Sequence, residues 1–222
     1  RLPDGGPDQG HIEKFQAINK GIKNTWSYHA VAAVIRAHSL LRSFPEVDVK
    51  RTGVTGISWG GYLACIVAGV DDRFKVAVPV YGCGFLHDNS AWLNIFAQLP
   101  QEDKKVWIEQ FDPSKYLAGC RMPILFMNGT NDFAYPLDSY QKSYRLVPER
   151  LRNISVTIRM PHSHPDGWAP KEIGIFVDSI LKGSQPLARF GSVTVRDRQV
   201  NARIQGIVPI KEASLHYTTD TC

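Results

Sequence analysis

Long hydrophobic runs are missing from this 222-residue chain: no apolar stretch approaches the roughly 18 residues that cross a bilayer, so no membrane span is expected. The first residues carry no signal-peptide pattern. Cysteine is scarce, 4 in all, and Cys65, Cys83, Cys120 and Cys222 stand in neither C-x-x-C nor zinc-ligand spacing. Their number suits either redox compartment, and Cys65, on an apolar stretch, reads as a small buried thiol. The glycines of "YGCG" are too few and too badly spaced for a dinucleotide fingerprint. Charge is not gathered into blocks either. The net charge is +5 and the basic residues are scattered, which argues for solvated surface and against a nucleic-acid footprint.

What is present is an ordinary globular composition, 43% apolar and 21% charged, in a chain long enough for one sizeable α/β core with an appendage. The chemistry concentrates first in "TGISWGGYLAC", residues 55–65. "VKRTGVTGI" before the serine is rich in Val, Thr and Ile and reads as a buried strand, and "GYLACIVAGV" after it is apolar at helical spacing. Ser58 therefore sits where a strand turns at once into a helix, with Gly56 and Gly60 in the places of a G-x-S-x-G nucleophile elbow. Side chains two residues to either side are expected to collide, hence the glycines. The helix points its N-terminus at the serine, and the backbone N–H of Trp59 becomes a candidate oxyanion donor. A Gly-flanked serine in an ordinary turn is the competing interpretation of the pentapeptide alone.

An acid and a base follow downstream. "MPILFMNGTNDFAYP" is a short apolar run, 124–127, leading into a loop that carries Asp132, as a carboxylate is presented at the carboxyl edge of a parallel sheet. "NISVTIRM" alternates Ile154, Val156 and Ile158 like a strand, and "PHSHPDGW" follows with His162 and His164. The order Ser, Asp, His along the chain is that of an α/β-hydrolase. A serine hydroxyl is a poor nucleophile at neutral pH. An imidazole must take its proton, and a carboxylate on the far ring nitrogen must fix the tautomer; attack on an ester or amide carbonyl then gives an acyl-enzyme with no cofactor. The H-x-H pair could instead suggest a metal, but no third or fourth ligand stands nearby at suitable spacing, so no metal is expected.

On these residues the sequence resembles an α/β-hydrolase of the prolyl-oligopeptidase and dienelactone-hydrolase branch, and within it the acetyl xylan esterase-type members. The similarity runs over residues 26–181 and rests on "VDVKRTGVTGISWGGYLA", "DDRFKVAVPVYGCGF", "DPSKYL", "PILFMNGTNDFAYP" and "HSHPDGWAPKEIGIFVDSIL". It implies a mostly parallel sheet with helices on both faces, Ser58 as nucleophile, Asp132 as acid and one of the two histidines as base. In the related pattern the base lies a few residues past the last strand. "SHPDG" fits that better than "PHS", so His164 is favoured and His162 is its rival. The resemblance also implies a small acyl ester or acylated carbohydrate as substrate and a periplasmic or secreted location.

The chain departs from that pattern at its start. "SYHAVAAVIRAHSLL" reads as an amphipathic helix ended by Pro45, directly before the elbow strand. In a complete fold several strands precede this helix and supply a second oxyanion donor; here "RLPDGGPDQGHIEKFQ" is polar, Gly- and Pro-rich and without a convincing strand. The expectation is a fragment of a longer chain, its α/β-hydrolase core at 1–183 lacking the first strands. An uncovered sheet edge would then invite self-association. Loss of the second donor would weaken the site by about 100- to 1000-fold.

"FLHDNSAWLNIFAQLPQEDKKVWIEQFDPSKYL" reads as helices bearing either a small cap over the site or ordinary core aromatics, with Phe85, Trp92 and Trp168 as candidate pocket residues. Residues 184–222 read as a β-rich extension, either the start of a sandwich domain or a β appendage, from the alternation of Val193, Val195, Val200 and Ile204. Three functions stay open: a carbohydrate esterase first, an oligopeptidase-like serine peptidase second, and an inactive fragment or binding module third.

Overall fold

The structure is a computed structural model that describes residues 6–197 and 199–217, so Cys222 lies outside the described residues. The chain begins with a short helix α1 (Glu13–Gln16) and two 3₁₀ turns, Ala17–Lys20 and Ile22–Asn24. Helix α2 (Trp26–Leu41) starts where Thr25 Oγ1 accepts the Tyr28 N–H at 3.4 Å. Then come β1 (Gly53–Ile57), α3 (Trp59–Val70) and β2 (Val76–Val80). Helices α4 (Leu93–Gln98) and α5 (Gln101–Phe111) are separated at Pro100, the cap residue of α5. After 3₁₀ turns at Pro113–Lys115 and Leu117–Gly119 follow β3 (Ile124–Asn131), α6 (Leu137–Arg145) and β4 (Arg152–Pro161). Helices α7 (His164–Trp168) and α8 (Lys171–Leu181) lead to a hairpin of β5 (Arg189–Arg196) and β6 (Gln199–Gln205).

Strands β1 to β4 form one parallel sheet in the order β1-β2-β3-β4. The inner strand β2 is buried along its whole length, as expected of a parallel strand covered on both faces. Side chains alternate along β1. A Cβ on Gly56 would run into Gly60 of α3, whereas one on Gly53 would face Leu181 of α8 and Ile57 faces Gly167 of α7. Helices therefore cover both faces, α3 on one and α7 with α8 on the other. Among the described residues no strand precedes Gly53, and β1 pairs only with β2, which leaves it at the sheet edge.

Most of the aromatic residues between β2 and β3 are core. Trp107, Phe96, Phe111 and Trp92 are all buried, and Phe15 of α1 stacks on Trp107 with centroids 4.8 Å apart and meets Phe96 edge-on at 5.0 Å. The segment ahead of α2 is thereby fastened to α4 and α5. Each such aromatic pair adds about 0.5–1.5 kcal/mol beyond the area it buries. The C-terminal extension is a β-hairpin, with every residue of β5 exposed and antiparallel pairing to β6. Among the described residues no helix is long and apolar enough to cross a membrane.

Candidate active site

One residue steps off the carboxyl end of each parallel strand: Ser58 after β1, Tyr81 after β2, Asp132 after β3 and His162 after β4. Ser58 holds φ 59° and ψ −119°, a strained conformation for a residue with a Cβ, and caps the twelve-residue helix α3. The strain follows from the sharp strand-to-helix turn, and close backbone packing holds it in place. A Cβ on Gly56 would lie 2.5 Å from the Gly60 carbonyl, and one on Gly61 would lie 2.8 Å from Gly82 N. Gly60 itself meets nothing within 4 Å. The collision expected on both sides of the serine therefore occurs at Gly56, and on the other side the crowded glycine is Gly61.

His162 joins the other two groups. Its Nε2 lies 2.9 Å from Ser58 Oγ and its Nδ1 lies 2.9 Å from Asp132 Oδ1. Asp132 Oδ1 also accepts the Ala134 and Tyr135 N–H groups at 2.7 and 3.1 Å, so the loop after β3 folds around the carboxylate. The Asp132 side chain is 1% exposed and that of His162 13%, which leaves the imidazole reachable from outside and the carboxylate shielded. Proton transfer from Ser58 to His162, with Asp132 holding Nδ1–H, is what this geometry can do.

The favoured histidine of the sequence reading is corrected by this geometry. His164 is exposed and is the first residue of α7, one position past the cap residue Ser163, and makes no hydrogen bond to Ser58 or Asp132. Ser163 Oγ accepts the Asp166 N–H at 3.1 Å and bonds its carboxylate, and Pro165 sits in the first turn. S-x-x-D with an early proline is a helix-start signature, and it could have assigned His164 to the helix from sequence alone. Strand β4 also runs on to Pro161, past a register shift opposite 129–131, so the first residue beyond the strand is His162.

The three pocket candidates separate. Phe85 is half-buried on the loop after β2, with φ 59°. Trp92 is 6% exposed and packs between Trp59 and Tyr135, at 4.7 and 5.1 Å, so it supports the site from within the core. Trp168 is 54% exposed on α7. Trp59 is the first residue of α3, so its N–H is among the first-turn donors that the helix itself leaves unpaired. Its indole also carries the Lys14 ammonium 4.6 Å from the ring centroid.

Two residues near the site escaped the sequence reading. Tyr81 places its ring 4.5 Å from the His162 imidazole, and its hydroxyl reaches the carbonyls of Pro161 and Ser163 at 2.8 and 3.1 Å. Asp112, within the "DPSKYL" segment, is wholly buried and accepts N–H groups from Phe85 at 2.9 Å, Leu86 at 3.1 Å and Ser114 at 2.9 Å, pinning the loop that follows Tyr81. Burial on its own would raise its pKa; the neighbouring His87 and the Ser114 and Phe85 donors outweigh that and hold it below the usual carboxylate range. His87 Nδ1 stands 3.8 Å away, too far for a hydrogen bond, so its effect is that of a nearby ring and the amides carry the contact. The available signal for Tyr81 was its place at the end of the apolar run beside the elbow strand.

Comparison with known proteins places the chain among hydrolases. The uncharacterized peptidase YuxL of Bacillus subtilis (strain 168) is 25% identical over 131 residues, 54% of this chain and 19% of its own length. The acylamino-acid-releasing enzyme of Rattus norvegicus is 24% identical over 148 residues, 60% of this chain and 20% of its own length. The chain thus spans about a fifth of each of these relatives. In three dimensions, an acetyl xylan esterase from Paenibacillus sp. R4 aligns with a TM-score of 0.63 at 22% identity, over 82% of this chain and 60% of its own, a likeness of fold. The model of the prolyl oligopeptidase family matches residues 3–172, and the chain belongs to that family of α/β-hydrolases.

Proposed function

We propose that this chain carries a serine hydrolase site that cleaves carboxylic esters through an acyl-enzyme on Ser58, with acetylated carbohydrate as the foremost substrate class. The observation that carries the reading is the unbroken series from Ser58 Oγ to His162 Nε2 and from His162 Nδ1 to Asp132 Oδ1, both links 2.9 Å long. His162 takes the Ser58 proton as Oγ attacks the carbonyl carbon, and returns it to the leaving alcohol as the tetrahedral intermediate collapses. Water then repeats the sequence on the acyl-enzyme. Asp132 accepts the Nδ1 hydrogen bond and so keeps that proton of the imidazole on Nδ1. The Trp59 N–H, at the positive end of α3, stabilises the oxyanion.

Peptide-bond cleavage is the second reading, supported by the family and by the two relatives, one named a peptidase and the other an acylamino-acid-releasing enzyme. An exopeptidase needs a carboxylate for the substrate amine. Asp132 is committed to His162 and two amides, so a peptidase acting on free amino termini would have to hold the substrate amine with another carboxylate. The deciding experiment compares p-nitrophenyl acetate and acetylated xylo-oligosaccharide with an aminoacyl-p-nitroanilide. Ester turnover that exceeds anilide turnover and disappears in Ser58→Ala supports the proposal; the opposite preference, also lost in Ser58→Ala, would make the site a peptidase.

A further inference from the structure

Of the four residues at the carboxyl ends of the strands, proton transfer uses Ser58, Asp132 and His162 and leaves Tyr81 without a role. Strand β4 lies three positions from β1, about 14 Å at the usual strand spacing. To bring Nε2 within 2.9 Å of Ser58, the chain after β4 must reach back across the ends of β3 and β2. Tyr81, at the end of β2, lies beneath that path.

Its contacts fall on both sides of one residue. The Tyr81 hydroxyl oxygen lies within donating distance of two carbonyl oxygens, Pro161 at 2.8 Å and Ser163 at 3.1 Å, and the Ser163 N–H approaches the same hydroxyl at 3.5 Å. These peptide groups flank His162. The tyrosine ring meanwhile sits 4.5 Å from the imidazole at an interplanar angle of 37°. Tyr81 holds φ 66°, a left-handed conformation unfavourable for a residue with a Cβ, as at Ser58. Burial raises the phenol above its ordinary pKa, so the hydroxyl remains a donor at neutral pH.

We propose that Tyr81 is the positioning residue of the site: its hydroxyl clamps the backbone on either side of His162 while its ring sets the height of the imidazole, so that Nε2 is held on Ser58. The inference rests on the reading of His162 as general base. Tyr81 touches neither Ser58 nor substrate in this role, and a tyrosine that merely filled space would satisfy its hydroxyl without gripping both neighbours of the base.

The test is Tyr81→Phe, which keeps the ring and removes the clamp. Phosphonylation of Ser58 by a fluorophosphonate and kcat for an acyl ester should both fall on the order of 10- to 100-fold, with KM unchanged. The low-field Nδ1–H proton resonance of His162 should broaden or shift, and Ser58 should remain the labelled residue. Wild-type labelling rate with an unmoved His162 resonance would overturn the inference. If the rate survives Tyr81→Phe but is abolished in His162→Ala, only the positioning role falls. If labelling is equally fast in His162→Ala, the base assignment falls and Tyr81 with it. Should Tyr81→Phe not fold, 3-fluorotyrosine at position 81 keeps the ring and alters the hydroxyl's donor strength. It must then shift the His162 Nδ1–H resonance, and an unmoved resonance overturns the proposal.

Discussion

Gly61 and Gly82 face each other across the end of the sheet with no room for a side chain on either. A Cβ on Gly82 would lie 2.7 Å from Gly61 Cα, and one on Gly61 would lie 3.1 Å from Gly82 Cα. This contact seats the first turn of α3 against the end of β2 and fixes where Ser58 and Tyr81 stand relative to each other. Gly61→Ala and Gly82→Ala are expected to destabilise the chain by about 1–3 kcal/mol, because the obstructing atoms are backbone. Gly60→Ala, with open space around the new methyl, should leave the melting temperature unchanged or raise it slightly. Thermal unfolding of the three variants checks the order.

Asp112 organises the loop that leaves Tyr81 by accepting three backbone N–H groups. In Asp112→Asn one carboxylate oxygen becomes a donor facing an N–H, and about 1–3 kcal/mol of stability should be lost. The pH dependence has a definite sign. A carboxyl held below its unfolded pKa contributes its stability fully above about pH 4 and loses it as the pH falls through the folded value. The difference in stability between wild type and Asp112→Asn should therefore be constant near neutrality and shrink on acidification, as read from urea midpoints across the range.

A second hydroxyl–imidazole–carboxylate series lies at the opposite end of β1. His38 Nε2 is 2.9 Å from Thr52 Oγ1 and His38 Nδ1 is 3.0 Å from Asp71 Oδ2, close to the distances at Ser58. All three residues are buried, the His38 ring stacks on Phe74 at 3.5 Å, and Arg73 grips both Asp71 oxygens at 2.7 Å. Burial alone would raise the Asp71 pKa; the hydrogen bonds from Arg73 and His38 overcome this and hold it well below the carboxylate range. This series ties α2 to the start of β1 and the end of α3. Its contribution, like that of Asp112, is full above about pH 4 and lost on acidification. His38→Ala should lower the melting temperature at neutral pH by several degrees, and no fluorophosphonate adduct is expected on Thr52.

The fold was legible where periodicity and punctuation agreed. The Val, Thr and Ile content of "VKRTGVTGI" and the apolar "GYLACIVAGV" both marked elements that form, although β1, at the sheet edge, is buried only at Ile57. The positions of Ser58 and Asp132 at strand ends were legible, Ser58 because a strand turns there directly into a helix and Asp132 because it follows an apolar strand. The choice between His162 and His164 turned on one strand end. The length of β4 depends on its pairing with β3 and the irregularity opposite 129–131, which are tertiary facts, although the S-x-x-D helix start was present locally. Trp92 and Trp107 could not be assigned from composition, because a buried aromatic and a pocket aromatic look alike until their neighbours are known.

Covalent labelling reads the activation of Ser58 by His162. The chain is treated with a fluorophosphonate at neutral pH and the adduct located by peptide mass spectrometry in wild type, His162→Ala and His164→Ala. An adduct on Ser58 is expected in wild type, with a rate within about twofold of wild type in His164→Ala and a fall on the order of 10⁴-fold or more in His162→Ala. An adduct that persists in His162→Ala and vanishes in His164→Ala would contradict activation by His162.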